Sequence, residues 1–184
     1  MSKRSEAVGK KKAAEKRKRL MEGIWGEELE TTHIWDRNKN NGYTTIPRTL
    51  PHIMHLMDRL AGKGKPVSST YFALWCRVWD EGYLEIKDKE DLAYEAGFSG
   101  QRAIYSLAQR MRALQELGFI KLQKKGGNEF QYVLMVNPLW VIRNSEKIVK
   151  DESYRALILR MEEVGARWPD ELEEQQDAEE ELSL

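Results

Sequence analysis

The sequence predicts a mainly α-helical fold with one small β-hairpin and extra helices at both ends. Three observations predict it. Apolar residues recur at three- and four-residue intervals through most of residues 48–117 and again over 145–165. Strand-like alternation is confined to 83–86 and 119–136, the latter broken by Lys124-Lys125-Gly126-Gly127-Asn128. Between 88 and 118 two helical stretches meet at Gly97, which gives the order helix, turn, helix, hairpin.

The 184 residues carry 30 Lys/Arg and 30 Asp/Glu, for a net charge of zero. That zero hides a segregation. Residues 1–19 are net +7 and residues 170–184 net −8, which leaves +1 for 20–169. The organisation this implies is a disordered basic arm (1–20), a connector (21–42), a central domain (43–144), a C-terminal helix (145–169) and a disordered acidic tail (170–184). The arm is too charged to bury a core, so it should order only on a partner. Cys76 alone excludes an internal disulfide and a multi-cysteine zinc site; its apolar setting, YFALWCRVW, predicts a buried thiol. With no run of 18 apolar residues and no apolar segment after the basic start, the expected location is cytoplasmic, with no membrane contact.

The elements follow in order. The connector holds Trp25, Trp35 and a polar turn cluster, 36–42. Pro47 suits the first turn of a helix, with Leu50, Ile53, Met54, Met57 and Leu60 on its apolar face. Ser68 or Ser69 can cap a second helix running to Trp79. Trp75, Trp79 and Trp140 sit among apolar neighbours and are expected in the core. Residues 83–86 suit a short strand. Asp88 can cap the next helix, whose inner face is Leu92, Ala93 and Ala96. Gly97 takes the turn and Phe98 fills the angle. Ser99 is the expected cap of the long helix that follows, with Ala103, Ile104, Leu107, Ala108, Met111, Leu114 and Leu117 inward and Gly118 as its stop. After the hairpin come LWVI and a helix over about 145–165, with Ile148, Leu157, Ile158, Met161 and Val164 on one face.

The outer face of the long helix begins with Gly100, Gln101, Arg102, Tyr105, Ser106 and Gln109. Arginine can bond guanine with two hydrogen bonds, glutamine can bond adenine, and tyrosine or serine can reach base or phosphate. From Ser99 to Lys125, six bases (Arg102, Arg110, Arg112, Lys121, Lys124, Lys125) face one acid, Glu116. In the arm, Lys10, Lys11, Lys12, Lys16, Arg17, Lys18 and Arg19 could neutralise phosphates along a duplex.

Leu92-Ala93…Gly97-Phe98-Ser99, Leu114…Leu117-Gly118-Phe119-Ile120 and Tyr132-Val133-Leu134…Asn137-Pro138 together resemble the winged helix-turn-helix superfamily of bacterial, phage and plasmid regulators and replication proteins. The resemblance covers about 50 residues, and about 70 with the Ser68–Trp79 helix. From Gly97 to Gly118 the helix is about one turn longer than the family's usual form. The resemblance implies a sequence-specific, double-stranded DNA-binding transcriptional regulator, a repressor of a plasmid or other mobile element that associates with the nucleoid. Its long helix would read the major groove, and its wing and arm would hold phosphates. The alternatives are an initiator or accessory protein that binds origin repeats, and a winged-helix adaptor that binds protein. A homodimer is expected, because one such unit reads only a few base pairs; the 145–165 helix or the Pro47–Leu60 helix would supply the surface.

The sequence offers little for other chemistry. His52 and His55 lie three apart, but His33 is remote and the single thiol sits in an apolar run, so no metal is expected. There is no phosphate loop, no GxSxG and no HExxH. No catalytic residue, cofactor or small-molecule ligand is expected.

Overall fold

The computed structural model of the protein describes residues 3–146, 148 and 151–174, the side chains of 3–7 and 10 excepted. The chain divides into two units, 1–45 and 46–184. No helix among the described residues is long and apolar enough to cross a membrane.

The first unit holds α1 (Lys3–Trp25) and the one-turn α2 (Glu28–Thr31). The arm is therefore helical where disorder was expected. Its Ala, Lys, Arg, Glu, Leu and Met residues all favour helix, and no proline interrupts them. The helix has no core to rest on. From Lys11 to Trp25 every side chain is exposed, and Lys18 and Glu22 form an i,i+4 pair at 3.8 Å. Asp36 organises the polar turn: its Oδ1 accepts the Asn38 N–H at 2.9 Å and its carbonyl accepts Asn40 Nδ2 at 2.7 Å.

The second unit is mainly helical with a small antiparallel sheet. Its elements are α3 (Leu50–Ala61), α4 (Ser68–Arg77), β1 (Tyr83–Glu85), α5 (Lys89–Glu95), α6 (Ala103–Glu116), β2 (Ile120–Lys125), β3 (Asn128–Met135), α7 (Pro138–Arg143) and α8 (Glu152–Val164). The strand order is β1-β3-β2, both pairs antiparallel. One core joins these elements: Leu50, Ile53, Leu56 and Met57 of α3, Tyr71 and Leu74 of α4, Leu92 and Ala93 of α5, Leu107, Met111 and Leu114 of α6, and Phe119 after it. Each fully buried side chain of leucine size contributes about 1.5–3 kcal/mol relative to exposure. The sheet meets this core through the cross-strand row Leu84–Val133–Leu122. Burial pushes the Tyr71 hydroxyl far up from the ordinary tyrosine value.

Several boundaries differ from those the sequence predicts. Helix α3 starts at Leu50 with Pro51 in its first turn, not at Pro47. Helix α4 begins at Ser68 itself and receives its cap from another helix: Asp58 Oδ1 accepts the N–H groups of Val67 at 2.6 Å and Ser68 at 2.8 Å. It ends at Arg77, where Val78 turns extended and sends Trp79 into solvent, 80% exposed. Trp140 is also exposed, so neither tryptophan anchors the core. Cys76 is exposed, because Thr70, Tyr71, Ala73 and Leu74 set the inner face and position 76 falls on the other side. The residues LWVI lie in α7, whose first turn is capped by Asn137. Ile148 is buried but precedes α8, which starts only at Glu152 after the Asp151 cap.

The two C-terminal segments belong to the same body. Helix α8 packs on α3, with Arg59 Nε bonded to Asp151 Oδ2 at 2.8 Å. The apolar faces of α3 and α8, each expected to serve a dimer, cover one another. Trp168 is buried, stacked on Tyr154 at 6.2 Å, with the Arg143 guanidinium 5.1 Å from its ring. Arg143 also pairs with Asp170 at 2.7 Å, and residues 169–174 are helical, so the acidic segment begins as ordered chain. Residues 175–184 of the expected tail lie outside the described residues.

Candidate functional site

Helix α5 presents Leu92, Ala93 and Ala96 to the core, and Asp88 Oδ1 accepts the Asp91 N–H at 3.1 Å as its cap. Gly97 turns the chain at φ +83°, and the Phe98 N–H bonds back to the Ala93 carbonyl at 2.8 Å. Ser99 does not cap the next helix. A second left-handed glycine, Gly100 at φ +76°, breaks the path, and α6 begins only at Ala103. Residues 97–102 thus belong to turn and loop, and α6 itself is 14 residues long. Ser99, Gly100, Gln101 and Arg102 are exposed on the loop at the head of α6.

The other end of α6 closes on Gly118, φ +84°. Its N–H bonds to Gln115 O at 3.0 Å, and the Phe119 N–H bonds to Leu114 O at 3.0 Å. Both bonds satisfy carbonyls the helix leaves open, and Phe119 is then fully buried. The position and tilt of α6 are fixed at this end by the cap and along its length by Leu107, Met111 and Leu114.

The polar stripe of α6 contains Arg102 at its N-cap, Tyr105, Ser106, Gln109 and Arg112. Tyr105 is 62% exposed, and Gln109 Nε2 bonds to its hydroxyl at 2.9 Å. Ser106 is half-buried. Arg102 is exposed and makes no ion pair among the described residues. Arg112 is engaged: its Nε and Nη2 reach Glu129 Oε1 and Oε2 of β3 at 2.9 and 2.6 Å. The same guanidinium lies 5.6 Å from the Phe130 ring, and Lys89 Nζ lies 5.7 Å from that ring. The paired guanidinium holds the Glu129 carboxyl below its ordinary value, and Glu129 raises that of Arg112. Arg110 turns inward from the stripe, over Phe98 at 5.9 Å, with Nη2 3.5 Å from the Gly64 carbonyl.

The hairpin carries the remaining predicted bases. Lys124 is exposed beside the turn and has no ion-pair partner among the described residues. Lys125 Nζ sits 5.6 Å from the Tyr132 ring, and its hydrogen bond to Tyr132 raises its pKa. Lys121 is opposite Leu134, on the sheet face turned away from the core. In the first unit Lys11, Lys12, Lys16, Arg17, Lys18 and Arg19 are exposed on α1; the Lys10 side chain lies outside the described residues.

The structure therefore brings together Arg102, Tyr105 and Gln109 on α6 and locks the hairpin to the same helix. It separates Arg110 and Lys121 from that face and ties up Arg112. Glu129, Phe130 and Lys89 are the participants that sequence reasoning missed. Glu129 lies four residues beyond Lys125, and only the strand register brings it to Arg112. Among the described residues no group of three or more His, Cys, Asp or Glu side chains gathers as metal ligands. No family model, no curated protein and no solved structure matches the chain.

Proposed function

We propose that the second unit is a winged helix and that the chain is a sequence-specific, double-stranded DNA-binding regulator of transcription. Helix α6 is about 21 Å long at 1.5 Å per residue, and a major groove about 12 Å wide admits one helix. Arg102, Tyr105 and Gln109 at its N-terminal half are the groups offered to base edges. Ser99 and Gln101 on the preceding loop are placed for the adjoining phosphates, and Lys124 on the hairpin for phosphates farther along. The basic α1 adds affinity that does not depend on sequence.

The observation that carries this reading is the division of labour along α6. The arginine nearest the hairpin, Arg112, is spent on Glu129 and fixes the hairpin to the helix. At the other end Arg102 and Tyr105 are exposed and Arg102 makes no ion pair among the described residues, while Gln109 is half-buried and bonded to the Tyr105 hydroxyl. A side chain that must read a base has to be free, and one that must position a second contact has to be bound.

Titration of a labelled genomic duplex pool at increasing salt tests the reading. Arg102, Lys124 and the exposed bases of α1 could neutralise six or more phosphates, so affinity should fall on the order of 10³-fold between 50 and 200 mM salt. Salt-independent association, or no association with any fragment, contradicts DNA binding.

A further inference from the structure

The sheet has a second face, and the duplex reading does not use it. The row Leu84–Val133–Leu122 points into the core. The alternate positions point outward. Register places Tyr83, Leu134 and Lys121 side by side in one outward row, and Glu85, Tyr132 and Gln123 in the next. Tyr83 is 47% exposed and Leu134 is 43% exposed. The rings of Tyr83 and Tyr132 lie 6.0 Å apart, tilted by 31°. Lys125 Nζ is 5.6 Å from the Tyr132 ring, at the edge of the same face. Glu85, the one acid in these two rows, accepts a hydrogen bond from Gln131 Nε2 at 2.9 Å.

We propose that this outer sheet face binds single-stranded nucleic acid, with Tyr83 and Tyr132 each stacking on a base and Lys121 and Lys125 holding the phosphates beside them. Every base has a π-face, but a duplex hides it, so the exposed Tyr83 ring and the half-buried Tyr132 ring beside it on an open sheet face suit unpaired bases. Amide side chains such as Gln123 can then meet a base edge. A protein partner fits less well. Only the two rings and Leu134 are apolar among the six outward residues, and lysine is depleted at the centre of protein interfaces. The inference does not rest on the duplex reading, because α6 and this face are served by different side chains.

The test is fluorescence anisotropy of the full-length protein with labelled twelve-residue oligo(dT) and oligo(rU), beside a labelled duplex. The wild-type protein should bind at least one of the two strands, and the preferred strand identifies DNA or RNA as the ligand. Tyr83→Ala with Tyr132→Ala should weaken that binding at least about tenfold. Tyr83→Phe with Tyr132→Phe should retain it, since stacking needs the ring and not the hydroxyl. Tyr83→Ala alone, at a half-exposed edge-strand position, gives the readout if the double variant fails to fold. Duplex affinity should stay within about twofold in all variants, which separates failure of this site from failure of the α6 reading. The proposal is overturned if the wild type binds neither strand, if phenylalanine loses as much as alanine, or if the tyrosines prove instead to hold a dimer that light scattering sees dissociate in the alanine variant.

Discussion

Asp58 of α3 and Ser68 of α4 are joined twice. Asp58 Oδ1 accepts the Ser68 N–H at 2.8 Å, and Ser68 Oγ donates to Asp58 Oδ2 at 2.6 Å. With the Val67 N–H also bonded to Oδ1, one carboxylate satisfies two open donors of α4 and ties it to α3. Helix α4 carries Tyr71 and Leu74 at the centre of the core, so this cap helps set the frame on which α5 and α6 rest.

Asp58→Ala should therefore cost about 2 kcal/mol, at the upper end for loss of a helix cap, because the freed donors are partly buried. In thermal unfolding this is a fall in Tm on the order of 5 °C. Asp58→Asn should lose less, since an amide oxygen can still accept. No change in either variant would show that water replaces the cap without penalty.

Asp151 is held below the ordinary aspartate value, first by the Ser153 backbone N–H, then by the hydroxyl of Ser153 and by Arg59. A depressed carboxylate stabilises the fold above its unfolded value, and that contribution is lost as pH falls through the folded value. The Tm of the wild type should then drop as pH is lowered below about 4. Asp151→Asn should be less stable than the wild type at pH 7 and should lose less on acidification. Parallel pH profiles for the two proteins would contradict the assignment.

Cys76 is exposed, yet its thiol is pushed up from the usual cysteine value by partial burial and by Glu95. It should be alkylated to completion in the native protein without denaturant. The rate at pH 7 should be below that of free cysteine, because less of it is thiolate. Mass spectrometry at timed intervals checks both. A thiol that reacts only after unfolding would restore the buried placement that the apolar sequence around it suggests.

How much of this was legible in the sequence depends on the range of each interaction. Helix α6 was legible from Leu107, Met111 and Leu114 at helical spacing, and its end from Gly118; both are local rules. The hairpin was legible from its alternation and its glycine tip. The start of α6 is not legible in the sequence, because Ser99 is a good cap in isolation and only the backbone shows that Gly100 takes a left-handed conformation after it. The apolar run YFALWCRVW hides both the inner face of α4 and its end: Cys76 falls opposite Tyr71, Ala73 and Leu74, and Trp79 lies beyond the last turn at Arg77. The Asp58 cap and the Arg112–Glu129 pair span 10 and 17 residues and exist only once separate elements are packed. That second pair changes the site most, since it takes an arginine out of the free polar stripe of α6 and makes it a support for the hairpin.

Selection from a randomised duplex library tests the central claim most directly, with the wild type, Arg102→Ala and Lys124→Ala run side by side. The wild type should enrich one motif. Arg102→Ala should lose preference at a single position, worth about 1–3 kcal/mol of discrimination. Lys124→Ala should keep the motif and bind every sequence more weakly, since a phosphate contact carries no sequence information. No enriched motif for the wild type, or an unchanged motif in Arg102→Ala, would contradict the placement of α6 as the reading helix.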